Sequence, residues 1–312
     1  MVFDFGAGTC DISVLEIVQD YKGFFSKNIA ISRFTKLGGD DVDRYLTYHY
    51  IMPRFLEANK KSKKDFRKNE RDIIASKLYK VAERLKVLIS KDLALKMSDY
   101  KVSNDKDSDK KTTIQTNVTI HTSKCELSAS DFYLTNEEFT EAMQVFVKQG
   151  KIKTTRCDKE EYNSIFTPIE SAISKSHCRK DEIDYVLLIG GSSQNPFIIE
   201  ALHNYFDESD LLVPQNLQTH VSQGAAIHSL LINGFDKCLI KPITSEPIIL
   251  ITKDEKPKVL LKAGTQIPCS NVTISDLTPN RDRQDKIELN WIAYMCWKRR
   301  KDVVQFNHWI SG

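Results

Sequence analysis

Apolar and polar residues alternate from the start of the chain. Residues 1–5, 11–17 and 27–33 are rich in Val, Ile, Leu and Phe, a patterning that predicts three successive strands. Gly6-Ala7-Gly8 supplies a tight turn between the first two, and a longer connection through Lys22-Gly23 joins the second to the third. Leu37-Gly38-Gly39-Asp40-Asp41 then interrupts the pattern, and the apolar period lengthens to that of a helix. One helix is predicted from about Asp41 to Leu56, with Val42, Leu46, His49 and Tyr50 along one stripe. After a lysine-rich connector a longer one runs from about Glu70 to Ile89. Its Ile74, Leu78, Val81, Leu85 and Leu88 recur at steps of three and four.

Residues 101–111 have almost no apolar content and read as an exposed loop, before strand-like alternation returns over 113–120. Thr135-Asn136-Glu137-Glu138 has the composition of a helix cap, and Phe139, Met143 and Phe146 suit the helix behind it. The polar stretch 148–160 ends that helix, and another is expected from Tyr162 to Ser176. A continuous apolar strand then meets a Gly190-Gly191-Ser192-Ser193 turn, with a helix beyond it at Pro196–Tyr205. That order is a βα unit whose turn tolerates phosphate at the carboxyl end of the strand. Ser222–Ile232 gives one more helix, in which Gly224-Ala225-Ala226 would permit close packing. From about Pro242 the chain changes to short β-like runs at 247–252, 258–262 and 271–274. Residues 278–312 are polar and then aromatic, and receive no role.

Composition narrows the classes. At 312 residues and 41% hydrophobic content the chain can hold two domains with real cores. A net charge of +3 advertises neither nucleic acid nor a membrane surface, and the local runs at Lys60–Lys64 and Lys298–Lys301 read as solvated faces. The seven cysteines are scattered and odd in number, without a Cys-x-x-Cys pair, and the seven histidines show no ligand spacing. Neither a zinc site nor a disulfide framework is indicated. No signal peptide and no bilayer-spanning apolar run is seen, so the Asn117 and Asn271 sequons carry little weight. The expectation is a cytoplasmic protein with reduced thiols.

Candidate chemistry sits in the turns. In the hairpin Val2–Glu16 backbone amides can approach a phosphate closely, while Asp4 and Asp11 can hold a metal ion or its waters. So buried a strand rarely opens a domain, and a preceding segment is expected. Glycine turns recur at residues 6–8, 38–39, 190–191 and 224. One alone means only a left-handed backbone, whereas the set favours a phosphate cradle. Glu83, Lys86 and Ser90 share one face of the long helix, beside its apolar stripe. They are either an ordinary surface ion pair or contacts to ribose and base.

These blocks, in this order, resemble the heat-shock protein 70 family of DnaK-type chaperones, in the second half of its actin-like ATPase domain. The matching elements are Asp4–Asp11, Leu37–Asp43, the Glu83/Lys86/Ser90 helix, Leu188–Ser193 and Val221–Ala226, and the resemblance covers roughly residues 1–275. It implies an α/β fold: an actin-like, ribonuclease H-like ATPase lobe II over 1–236, with an inserted α+β subdomain at about 36–135. A partial peptide-binding β-sandwich over 242–275 and an unassigned tail over 276–312 would follow. It implies ATP or ADP with Mg2+ as cofactors. Gly6, Gly8 and Thr9 would form a phosphate loop, and Gly39 a second approach to phosphate. Asp4 and Asp11 would organise magnesium waters and, with Thr9, the attacking water. Glu83, Lys86 and Ser90 would contact adenosine, as would the turn Gly190, Gly191 and Ser192. Implied partners are unfolded polypeptides, J-domain co-chaperones and nucleotide exchange factors.

The chain also departs from the family. Ala7 replaces a glycine, which costs about 1–2 kcal/mol if that position needs a positive φ. Val87 and Gln194 stand where the family stacks arginines on adenine, a loss of about 1 kcal/mol each. Gln218 replaces an aspartate near the nucleotide. The family's first phosphate loop, its catalytic lysine and a glutamate belong to a lobe upstream of Met1, so this chain alone is not expected to hydrolyse ATP usefully. The rival readings are a lobe of another actin-like ATPase or sugar kinase, and an interaction module of the same fold that has lost nucleotide.

Overall fold

The computed structural model describes residues 1–20, 23–34, 37–98, 110–149, 152–153, 161–217, 219–251, 257–270 and 291–293. Gln218, most of the 101–111 and 148–160 stretches, the 271–274 run and nearly all of the 278–312 tail therefore lie outside the described residues.

Strands β1 (Val2–Phe5), β2 (Cys10–Asp20) and β3 (Gly23–Phe34) form an antiparallel meander. Its alternation is physical: Phe3, Phe5, Cys10 and Ile12 are at most 1% exposed, and their neighbours Asp4 and Asp11 turn to the other face. The strands outrun the predicted bounds, pairing as far as Asp20 with Gly23, so the connection is shorter than the sequence pattern suggested.

Helix α1 (Gly39–Leu46) then runs into a π-helical turn, Thr47–Ile51, and on into α2 (Met52–Ala58). The π turn corrects the predicted stripe. Pro53 has no N–H to offer the carbonyl one α-turn back, and the ladder widens just before it, with Met52 donating to Thr47. One residue is thereby gained, so Ile51, Met52, Phe55 and Leu56 enter the core while His49 and Tyr50 stay half-buried. Helix α3 (Lys68–Ser98) is longer than predicted and buries Ile74, Leu78, Val81, Leu85 and Ile89. Leu88, assigned to that stripe, is instead 45% exposed.

Strands β4 (Lys111–His121) and β5 (Glu126–Thr135) form a hairpin on α3, and α4 (Asn136–Val147) follows. Its capping box is as the composition suggested: Thr135 Oγ1 accepts from the Glu138 amide, and the Glu138 carboxylate accepts from the Thr135 amide. The short strands β6 (Ile152–Lys153) and β7 (Glu161–Tyr162) pair with each other, so Tyr162 belongs to a strand. Helix α5 (Phe166–Ser176) packs across β2 and β3. Strand β8 (Tyr185–Ile189) leads through a 3-10 turn into α6 (Pro196–Tyr205), and β9 (Asp210–Leu212), α7 (His220–Phe235) and β10 (Ile240–Lys241) complete the main body.

The central sheet has the order β10-β3-β2-β1-β8-β9, with β8 parallel to β1, β9 parallel to β8 and β10 parallel to β3. It is a mixed sheet in a mixed α/β fold. Beyond it β11 (Ile248–Ile251) pairs antiparallel with β12 (Pro257–Leu261) and β13 (Trp291–Ala293). This segment is held to α5 by the Lys175–Glu246 ion pair.

Helix α7 departs from expectation. A side chain at Gly224 would meet nothing within 4 Å, and Val221, Ile227 and Leu230 are each 60% exposed. The small residues of this helix serve no packing among the described residues. Those residues contain no helix long and apolar enough to cross a membrane.

Candidate functional site

The turn Gly6–Thr9 and the start of α1 are clamped together. Gly39 donates its amide to Gly6 O at 3.0 Å and Asp40 to Ala7 O at 2.7 Å, while Gly6 N–H is spent on Thr9 O at 3.0 Å. Gly38 must be glycine here: a Cβ would lie 2.2 Å from Ala7 O and 2.8 Å from Gly8 Cα, both backbone atoms that cannot step aside. Among the described residues the amides of Ala7, Gly8 and Thr9 make no backbone hydrogen bond, and they remain the donors of this turn. The amides of Gly6 and Gly39, two of the expected phosphate contacts, are used internally.

Next to the clamp lies a cleft of about 590 Å³. Gly39, Asp40 and Asp43 of α1 form one wall, and Glu83, Lys86 and Ser90 of α3 another. The turn after β8 closes it with Gly191 and Ser192. Here too glycine permits the approach, since a Cβ on Gly39 would fall 2.4 Å from Ser192 Oγ and 3.0 Å from Lys86 Nζ. Val87, Ala94, Met143 and Gln194 add neutral side chains to the lining, beside Lys91.

Its electrostatics centre on an ion pair that the sequence did not announce. Lys86 Nζ donates to Asp43 Oδ2 at 2.8 Å and to Gly39 O at 3.0 Å. Both side chains are largely buried, 14% and 8% exposed. Burial raises the Asp43 carboxyl to about 6, although Lys86 opposes the rise. Among the described residues Asp43 Oδ1 has no hydrogen-bond partner. Asn195, also unforeseen, caps α6 by accepting from the Phe197 amide at 3.0 Å, and it directs its Nδ2 to Ser90 Oγ at 3.4 Å. An Asn directly before Pro196 is a readable cap signal.

Of the candidate residues, the cleft gathers Gly39, Glu83, Lys86, Ser90, Gly191 and Ser192. Asp4, Asp11, Gly6, Gly8 and Thr9 lie outside it, on and beside the β1–β2 turn, and Gly190 is not part of its lining. Gly190 instead has φ +84°, and a Cβ there would sit 2.5 Å from Phe5 O and 2.7 Å from Asp4 Oδ1. Its position is a packing requirement between β8 and β1. Asp4 and Asp11 face each other across β1 and β2, and burial together with the Asp11 charge raises the Asp4 carboxyl. Asp11 is already engaged: Arg33 Nε lies 3.2 Å from its Oδ1.

The family model described as Hsp70 protein matches residues 1–117 and 93–293. The chain belongs to the Hsp70 family. Among curated Hsp70 relatives, it is 24% identical over 298 residues to the heat shock protein 70 homolog of Acanthamoeba polyphaga mimivirus, covering 93% of this chain and 26% of that protein. It is 26% identical over 234 residues to heat shock cognate 70 kDa protein 3 of Dictyostelium discoideum, covering 75% of this chain and 30% of that one. The chain thus spans under a third of the length of these Hsp70 relatives. Members of the family generally bind ATP or ADP with Mg2+. The residues expected on the nucleoside side of such a ligand, Glu83, Lys86, Ser90, Gly191 and Ser192, all line the cleft between α1, α3 and the turn after β8. A divalent cation would rest mainly on phosphate and water, with little direct hold from the chain. Among the described residues no group of three acidic, His or Cys side chains is placed to hold a metal, and Asp11 is paired with Arg33.

Proposed function

We propose that this chain is the nucleotide-holding half of an Hsp70-type chaperone, and that its cleft takes the nucleoside of ATP or ADP. The supporting observation is the convergence of Gly39, Ser192 and Lys86 beside a cavity of about 590 Å³, where a Cβ on Gly39 would fall 2.4 Å from Ser192 Oγ and 3.0 Å from Lys86 Nζ. In this reading Glu83 accepts from ribose hydroxyls, Lys86 and Ser90 contact ribose and base, and Gly191 and Ser192 line the sugar side. The free amides of Ala7, Gly8 and Thr9 take the phosphates, with Asp4, Asp11 and Thr9 beside them for an attacking water. Residues 1–236 read as ATPase lobe II, with 36–135 inserted between β3 and α4, and 242–275 as the first strands of a peptide-binding sandwich. Coupled to the rest of an Hsp70, nucleotide turnover would drive binding and release of unfolded polypeptides, with J-domain proteins and exchange factors as partners.

A fluorescent ADP analogue titrated into the purified chain tests this. Binding should be competed by unlabelled ADP, and Glu83→Ala, at an exposed site, should weaken it about tenfold, the order of one hydrogen bond to a charged group. A second reading, an interaction module without nucleotide, draws support from the neutral Val87 and Gln194 and from Lys86 being held by Asp43. Absence of binding at millimolar ADP would leave that second reading.

A further inference from the structure

Asp4, Asp11 and Arg33 stand directly opposite one another on β1, β2 and β3. Opposed residues of neighbouring strands share a face, with Cβ atoms about 4.5–5.5 Å apart. The core residues Phe3, Phe5, Cys10 and Ile12 point the other way, so the row lies on the open side of the sheet. It sits one residue pair inside the Gly6–Thr9 turn, because Phe5 and Cys10 are the last pair before the turn. Burial raises the Asp4 carboxyl, and repulsion from Asp11 across the pair adds to the rise. Arg33 compensates on the far side of Asp11, with Nε 3.2 Å from Oδ1 and 55% of its side chain still exposed. A guanidinium offers five donors in a planar fork, so one edge can bind Asp11 while another faces a second anion.

We propose that Arg33 is the built-in counter-cation of this carboxylate row, and that it binds the phosphate end of the ligand in place of a divalent metal. The inference rests on the nucleotide reading for the ligand's identity, but its charge logic belongs to the row itself. Arg33 offsets the negative charge of Asp11, and its exposed edge and the amides of Ala7, Gly8 and Thr9 lie at the same end of the sheet. A phosphate bound between them would be neutralised by a fixed charge.

The test is calorimetric titration of ADP, adenosine and inorganic pyrophosphate into wild type and Arg33→Gln, each with excess Mg2+ and with a chelator. Wild type should bind ADP equally in both buffers, within about twofold. Arg33→Gln should lose about tenfold in chelator, the order of one charge-assisted hydrogen bond, and leave adenosine binding unchanged. A tenfold loss on chelation in wild type, or an Arg33→Gln variant equal to wild type in chelator, would overturn the proposal. If ADP does not bind, pyrophosphate decides. Binding by wild type and not by Arg33→Gln would sustain Arg33 as the anion site and sink the nucleotide reading, whereas no binding by either sinks both.

Discussion

Replacing Lys86 with methionine would remove the partner of a buried carboxylate and keep most of the side-chain volume. At 2.8 Å and an effective dielectric constant of about 20, the gross attraction of the pair is about 6 kcal/mol. Desolvation offsets much of it, which is why Asp43 is raised to about 6 even with Lys86 in contact. The net worth of the pair is therefore small, while loss of one member leaves an uncompensated buried charge that costs about 3–5 kcal/mol. The cost depends on pH in a definite direction. A carboxyl at about 6 in the fold and 3.8 unfolded binds more protons when folded, so its contribution to stability is complete below about pH 4 and declines as pH rises to about 6. Roughly two units correspond to about 3 kcal/mol. Without Lys86 the folded carboxyl rises further and the decline continues to higher pH. In urea unfolding, Lys86→Met should cost about 1 kcal/mol at pH 5 and about 3–4 kcal/mol at pH 8. Equal destabilisation at the two pH values, or less than about 1 kcal/mol at pH 8, would refute this reasoning.

Gly39→Ala places a methyl 2.4 Å from Ser192 Oγ and 3.0 Å from Lys86 Nζ, flexible ends that can move. The fold should survive, with circular dichroism unchanged, while ADP affinity drops at least about tenfold through the narrowed cleft. Gly190→Ala meets backbone at 2.5 Å from a φ of +84°, and should lower the unfolding free energy by about 2 kcal/mol or more. An unaltered denaturation midpoint would contradict the close packing of β8 on β1. Leu230→Ser on α7, where the side chain is 60% exposed, should change stability by no more than about 0.5 kcal/mol. A loss above about 2 kcal/mol would show that α7 is covered in solution.

The hairpin at the start and the βα unit at Tyr185–Tyr205 were legible because their apolar residues keep strict step with the strand or helix period, with glycine at the turn. The Thr135/Glu138 capping box was legible because its signature is local. Strand β5 was not: Leu127 and Phe132 are both buried but out of phase by one residue, and the ladder slips between Gln115 and Val118. The π turn hid in an ordinary helical period for the same reason, since one extra residue shifts every later position. Asp43 is a carboxylate on an apolar stripe between Val42 and Leu46, intelligible only beside Lys86 on another helix. Arg33 acquires meaning only from strand register, which aligns it with Asp11. Helix α7 has the composition of a packed element, and composition does not say what it packs against.

In the proposed function the cleft between α1, α3 and the turn after β8 holds a nucleotide. Hydrogen exchange of the chain with and without saturating ADP tests it most directly. Slowed exchange is expected in peptides covering residues 37–46, 83–95 and 190–195, with α7 and β4–β5 unchanged. Saturation with ADP that leaves those three segments unaltered would contradict it.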